Sequence, residues 1–342
     1  MSRFFVSAWG DLPDGGVYTY DLLPDGSAQQ CAFAPFFHAG YLAWNSKKTF
    51  LYATGGMDDS TDCAGAFALQ EDGRLALLNR QPSCGLSCCH LCVSPDDRFV
   101  YAANYRTGNF VEFAVLPDGS LAPAGKNIVH HGKGPHPERQ SSAHAHFCGF
   151  SPDGKFLLVV DLGMDAVLSY PWYPGEGIDE KSVIRNSFTP GCGPRHLVFD
   201  RSGKTGYLIT ELGNTVVAFR YENGYLHRTG EISTLPRNTA CATKAAALRL
   251  SEDERFLAVS NRGYDCVVML ELDGKGNMRP VDAVLTGGSS PRDMNFLANG
   301  SVLAVGNEFS GNVFFFDFDP VCGRLTPNGF TLELPRPLCF VE

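Results

Sequence analysis

Apolar residues run along this chain in short stretches broken by small polar turns, and one such unit recurs. The unit is an apolar residue, a polar turn, then a second apolar run. Six copies are readable: Trp44-Asn45-Ser46-Lys47-Lys48, Val93-Ser94-Pro95-Asp96-Asp97-Arg98-Phe99, Phe150-Ser151-Pro152-Asp153-Gly154-Lys155-Phe156, Phe199-Asp200-Arg201-Ser202-Gly203-Lys204, Leu250-Ser251-Glu252-Asp253-Glu254-Arg255-Phe256 and Phe296-Leu297-Ala298-Asn299-Gly300. Their first residues are spaced by 49, 57, 49, 51 and 46 positions. A Ser-Pro-Asp-Gly turn joins antiparallel strands, because proline presets φ while Asp and Gly accept the turn geometry.

Each copy reads as four short strands. In the third these are residues 146–150, 156–160, 166–171 and, least distinct, 182–184. In the second they are 89–93, 99–103, 110–115 and 121–123. Four strands repeated every 40–50 residues are the pattern of a β-propeller blade. The termini complete the count. Leu338-Cys339-Phe340-Val341-Glu342 reads as a first strand with nothing after it. Arg3-Phe4-Phe5-Val6-Ser7-Ala8 reads as a second strand with nothing before it, and Gly16-Val17-Tyr18-Thr19-Tyr20-Asp21 supplies a third. The prediction is an all-β, seven-bladed β-propeller of four-stranded antiparallel blades, its seventh blade closed by strands from both termini, with residues 1–342 as one domain. Such closure removes the open sheet edges that template aggregation. A two-domain all-β chain explains neither the steady period nor the complementary termini.

Composition narrows the picture. Hydrophobic residues make up 44% of the 342, and Gly (37) and Phe (25) are abundant, as many short strands and turns require. Intrinsic disorder is excluded by that apolar content. No stretch approaches the 18 or more apolar residues of a membrane helix. The first residues, ended by Gly10-Asp11, do not read as a signal peptide, so the expected location is cytoplasmic. The net charge of −9 argues against nucleic-acid binding, which needs a basic surface. An anionic small molecule fits only if basic residues gather locally. The 12 cysteines are expected to be reduced. Cys84, Cys88, Cys89 and Cys92, with His90, match no usual zinc spacing, and Cys92 is expected to pack as a small hydrophobe.

In a propeller, residues just before a blade's first strand and just after its second strand share one face, around the central channel. Aligning the copies on the turn gives one column of Cys89, His146, Arg195, Ala246 and Arg292, followed by one of His90, Phe147, His196, Ala247 and Asp293. Two residues before the first column stand Ser87, His144, Gly193, Lys244 and Ser290. After the second strand come Asn104, Asp161, Thr210, Asn261 and Asn307, then Tyr105, Leu162, Glu211, Arg262 and Glu308. Polar loop edges and blade-to-blade ion pairs would account for single residues. The whole set has the profile of a small-molecule site.

Arg195, Arg262 and Arg292 are permanently charged forks suited to carboxylate or phosphate. His144 and His146 are two apart, so a regular strand puts them on one side, where either can serve as acid or base near neutral pH. Glu211 can take a proton from water or balance an arginine. An H-x-H pair with Asp161 is a conceivable metal set, but no metal is expected. The chain has no Gly-x-Ser-x-Gly elbow, P-loop or dinucleotide fingerprint.

One set of motifs resembles a known family. It comprises Pro137-Glu138-Arg139-Gln140, Ala143-His144-Ala145-His146, Asp161-Leu162-Gly163, Gly193-Pro194-Arg195-His196, Thr210-Glu211-Leu212, Ser260-Asn261-Arg262-Gly263 and Pro291-Arg292-Asp293. The chain resembles the lactonase family of seven-bladed propellers, which includes propeller-type 6-phosphogluconolactonases and carboxy-cis,cis-muconate cyclases. The resemblance implies a cofactor-free enzyme acting on an anionic lactone, with 6-phosphoglucono-1,5-lactone as the expected substrate. It places the catalytic roles on His146 (or His144), Glu211, Arg195 and Arg262. His144, Arg292, Asn104, Asp161 and His196 are the substrate-binding candidates. A muconate-type cyclising lyase and a non-catalytic small-molecule-binding propeller are the alternatives. No membrane or nucleic-acid partner is expected, and the protein is expected to be a monomer or weak homo-oligomer. Lys244-Ala245-Ala246-Ala247 and the cysteine-rich 84–92 stretch depart from the family pattern.

Overall fold

Inner strands that touch neighbours on both faces must be apolar throughout, and this explains the short unbroken hydrophobic runs. The computed structural model describes residues 2–342. Among them are strands and turns but no helix, arranged as seven sheets in a ring. The innermost strands are Leu42–Trp44, Cys88–Val93, Ala145–Phe150, Pro194–Phe199, Lys244–Leu250, Pro291–Leu297 and Pro337–Val341. The closing blade runs in the order Pro337–Val341, Ser2–Ala8, Gly16–Leu22, Ala28–Pro35, so both ends of the chain share one sheet. Phe5 pairs with Val341 and Val6 with Phe340.

The recurring turn is held by its first polar residue. The Ser94 hydroxyl accepts the Phe99 amide and donates to Asp96. Ser151 does the same with Phe156 and Asp153, and Ser251 with Phe256 and Asp253. Asn45 replaces serine in the first copy and accepts the Thr49 and Phe50 amides. The last residue of this turn is left-handed in each case: φ is 51° at Lys48, 57° at Asp97 and 59° at Glu254, against 65° at Gly154. Glycine meets that requirement without strain, which is why it appears in three copies, at Gly154, Gly203 and Gly300.

The core is a series of layers between successive blades. Between the second and third blades, Tyr101, Phe110, Cys148, Leu157, Val159 and Tyr170 form one such layer. Each large side chain buried there contributes roughly 1.5–3 kcal/mol. The outermost strands depart from the sequence expectation. In the second blade the outer strand is Lys126–Val129, not 121–123, and Leu121 makes only an isolated bridge to Val115. In the third it is Ile184–Ser187 rather than 182–184, with a further short pair at Gly177–Ile178. These edge strands alternate exposed and inward residues, so they carry little hydrophobic signal.

Candidate active site

In six of the seven blades the pairing of the first and second strands is irregular at the channel mouth, as in a β-bulge. Ala145 pairs with Asp161 and Phe147 with Val160, leaving His146 as the extra residue. Arg195 is extra between Pro194 and His196, Cys89 between Cys88 and His90, and Arg292 between Pro291 and Asp293. A bulge re-aims its side chain and ends regular pairing. The same irregularity therefore turns a histidine, two arginines and a cysteine toward the mouth. It also breaks the period of two that would have set His144 beside His146.

His146, Glu211, Arg195 and Arg262 come together. Glu211 Oε2 lies 2.9 Å from Arg262 Nη2, 3.3 Å from Arg195 Nε and 3.9 Å from His146 Nε2. Its Oε1 accepts from Arg139 Nη2 at 2.5 Å, and Arg139 also donates to the Tyr105 hydroxyl at 3.0 Å. Burial alone would raise the Glu211 pKa, but Arg262, Arg195, His146 and Arg139 hold it well below the usual carboxylate value. Burial, with Arg195 close by, pushes His146 well below an ordinary histidine, so its imidazole is neutral. Burial and the Arg262 and Arg292 cations bring the Arg195 guanidinium down to about 9. An arriving anion would relieve that crowding. Arg195 Nη1 also donates to the Ala246 carbonyl at 2.6 Å, which fixes the fork.

Two adjoining cavities open here. One, of about 260 Å³, is lined by His146, Glu211, Tyr105, Arg139, Lys244 and Arg262. The other, of about 240 Å³, is lined by Trp9, Tyr41, Arg195, His196, Glu308 and Arg336. Ser87, Cys89 and Arg292 border both. Six cationic side chains thus face three carboxylates, and one of these, Asp293, is already paired with Arg249 at 2.6 Å. The mouth is a cationic site on an anionic protein. Such a site attracts and orients small anions.

The comparisons with known proteins agree with this architecture. Residues 8–342 match the family described as lactonase, 7-bladed beta-propeller. The chain belongs to that lactonase family. Over 329 residues it is 34% identical to the 6-phosphogluconolactonase of Bacillus subtilis (strain 168), covering 95% of this chain and 93% of that one. The structure of the periplasmic gluconolactonase of Pseudomonas aeruginosa matches with a TM-score of 0.93 at 29% identity, over 99% of this chain and 98% of that chain. A protein from Lactobacillus plantarum matches with a TM-score of 0.91 at 27% identity, over the whole of this chain and 99% of its own. This protein is a lactonase, an enzyme that opens lactone rings by hydrolysis.

Not every candidate of this lactonase reaches the cavities. Arg292 and His196 do. His144 does not: its ring stacks on Tyr105 with centroids 4.6 Å apart, and its Nδ1 lies 2.8 Å from the Tyr105 carbonyl oxygen. It braces the ring against which His146 also packs, edge-on at 5.4 Å. Asn104 is fully buried and donates to the Ser83 carbonyl. Asp161 pairs with His130 at 2.7 Å and accepts the His144 and Met164 amides. As placed, these three hold loops together and line neither cavity. Among the described residues no three His, Cys, Asp or Glu side chains converge as they would on a metal ion. All twelve cysteines are free, and Cys92 packs beside the apolar layer of Tyr101 and Cys148.

Arg139, Tyr105, Lys244, Trp9, Tyr41 and Arg336 line the lactonase mouth but were not among the sequence candidates. Tyr105 and Lys244 stood in the repeat columns, where residue type alone did not single them out. Arg139 lay in the family motif. Trp9 and Arg336 belong to the split blade, where no complete copy exists to align. No described helix is long and apolar enough to cross a membrane.

Proposed function

We propose that this lactonase hydrolyses 6-phosphoglucono-1,5-lactone to 6-phosphogluconate at the channel mouth, with no cofactor. The observation that carries the reading is a buried neutral imidazole, His146, beside a carboxylate gripped by three arginines in a cation-rich mouth. The name of the Bacillus relative supports the phosphorylated substrate, and the cationic excess suits its charge. A phosphorylated substrate of this kind is consistent with a cytoplasmic enzyme.

Glu211 is a poor base because its arginines stabilise the ionised form. In this reading the neutral His146 imidazole, which faces the cavity beside Glu211, accepts the proton. Its Nε2 and Glu211 Oε2, 3.9 Å apart, are too far for a hydrogen bond but near enough to share one water. In this mechanism that water attacks the lactone carbonyl while His146 takes its proton. The new imidazolium is stabilised by Glu211. Arg195 and Arg262 stabilise the oxyanion of the tetrahedral intermediate. The ring C–O bond then breaks, and His146 returns the proton to the leaving oxygen, giving the hydroxy acid.

The test is a continuous assay on freshly generated 6-phosphoglucono-1,5-lactone, with and without chelator. Activity is expected to resist the chelator, and Arg195→Ala is expected to lower kcat/KM by about 10²–10³-fold, the usual loss for a removed oxyanion donor. No rate above spontaneous hydrolysis would overturn the reading. The gluconolactonase name of the Pseudomonas structure makes glucono-1,5-lactone the comparison substrate.

A further inference from the structure

The cavity on the far side of Arg292 shares Arg195 with the ring-opening chemistry, and the rest of it, which that chemistry does not use, is built for an anion. Glu308 sits in it between two guanidiniums: Arg336 Nη2 donates to its Oε1 at 2.7 Å, and Arg292 Nη1 lies 3.3 Å from its Oε2. One carboxylate there answers two cations, and Arg195 adds a third along the same wall. The other carboxylate, Asp293, is taken by Arg249.

Arg336 is held with unusual care. Its guanidinium lies over the Trp9 ring, 5.7 Å from the centroid, and Trp9 in turn stacks on His38 at 4.3 Å. The Trp9 amide donates to the Arg336 carbonyl at 3.1 Å, tying the two termini together at this point. The Arg336 backbone is left-handed, with φ at 37°, a region that favours glycine. An arginine kept in that conformation, and stacked on an aromatic platform, is a candidate functional residue.

We infer that Arg336, with Arg292, forms the subsite for the substrate's phosphate and so sets preference for phosphorylated over unphosphorylated lactones. The inference rests on the proposed lactone hydrolysis, and it gives the two cavities separate tasks. The lactone carbonyl faces His146, and the phosphate lies across Arg292 in the adjoining cavity. A phosphate dianion would meet the charge that Glu308 leaves uncovered. Arg336 takes the phosphate as a two-donor fork, a geometry that lysine cannot reproduce.

The experiment measures kcat/KM for 6-phosphoglucono-1,5-lactone and glucono-1,5-lactone in parallel, with wild type, Arg336→Met, Arg336→Lys and Lys244→Met. Arg336→Met is expected to lower the ratio of phosphorylated to unphosphorylated kcat/KM by about tenfold to hundredfold, mainly through KM, the range for a lost charge-assisted hydrogen bond. Arg336→Lys should recover part of it. A ratio unmoved in Arg336→Met, or moved more by Lys244→Met, overturns the assignment. Calorimetric titration with 6-phosphogluconate and with gluconate tests the subsite independently of turnover. If the wild type hydrolyses neither lactone, the proposed reaction fails, and the titration still decides. Selective loss of 6-phosphogluconate binding in Arg336→Met upholds the subsite, and equal effects on both acids refute it.

Discussion

Glu211 and Glu308 occupy the same position in two blades, each the first residue past the second strand, and they end in different surroundings. Glu211 is enclosed by Arg139, Arg195, Arg262 and His146, with its side chain 4% exposed. Glu308 meets only Arg292 and Arg336, and the latter is 47% exposed. Burial works against the charge of both, and in both the arginines win. The difference lies in how many cations depend on each carboxylate. Three guanidiniums packed around Glu211 would repel one another without it. Around Glu308 one of the two can reach water. Repeat position places the carboxylate, and its neighbours decide whether it is a keystone or a counter-charge.

The strongest way to break this comparison is Glu211→Gln. It leaves buried guanidiniums uncompensated, which typically costs about 3–5 kcal/mol. Urea unfolding should show that loss, and kcat/KM should fall at least about a hundredfold as Arg195 and Arg262 move apart. A loss no larger than that of Glu308→Gln would remove the distinction.

Acid should be the next largest effect. His90, His146 and His196 have folded pKa values well below 6.5, because burial and nearby arginines disfavour their cations. Below about pH 6.5 the unfolded chain binds protons that the folded chain does not, so the stability present above that pH is lost as pH falls. Each histidine adds up to about 1.4 kcal/mol per pH unit to that slope. Glu211 and Glu308 add to it only below about 4.5, where their unfolded carboxylates begin to protonate. Urea midpoints at pH 7.5 and 5.5 should therefore differ clearly, and equal midpoints would contradict neutral burial of the histidines.

Glu308→Gln sharpens the comparison from the other side. Its expected cost is about 1 kcal/mol, since Arg336 is half exposed where it stands and water can replace its partner. The smallest effect is expected for His144→Phe. An aromatic ring there can still stack on Tyr105, so kcat/KM should stay within about threefold, whereas His146→Ala should lose about a hundredfold or more. Equal losses at the two positions would mean that His144 acts on substrate.

Much of the fold could be read from the chain because each blade repeats the same hydrogen-bonding problem. Ser94, Ser151 and Ser251 solve it with the same side-chain bonds, and the apolar runs after them must be buried on both faces. The inner strands and the split blade follow from that. The outer strand at Lys126–Val129 was misplaced in sequence because an edge strand needs little apolar character. His146, Arg195 and Glu211 were legible through their shared columns.

What the sequence by itself determined is the number of blades, their closure through both termini, and the ring of residues at one mouth, since local periodicity and turn chemistry set all three. Only the tertiary structure decided which of those residues line the cavities. A one-residue bulge shifts side-chain direction without altering the hydrophobic pattern, so it aimed His146 inward and left His144 bracing Tyr105. Arg139 and Arg336 arrive from segments outside the aligned columns and meet Glu211 and Glu308 across 72 and 28 residues of sequence. Those meetings depend on how neighbouring blades pack around the mouth, which brings charges distant in sequence within a few ångströms.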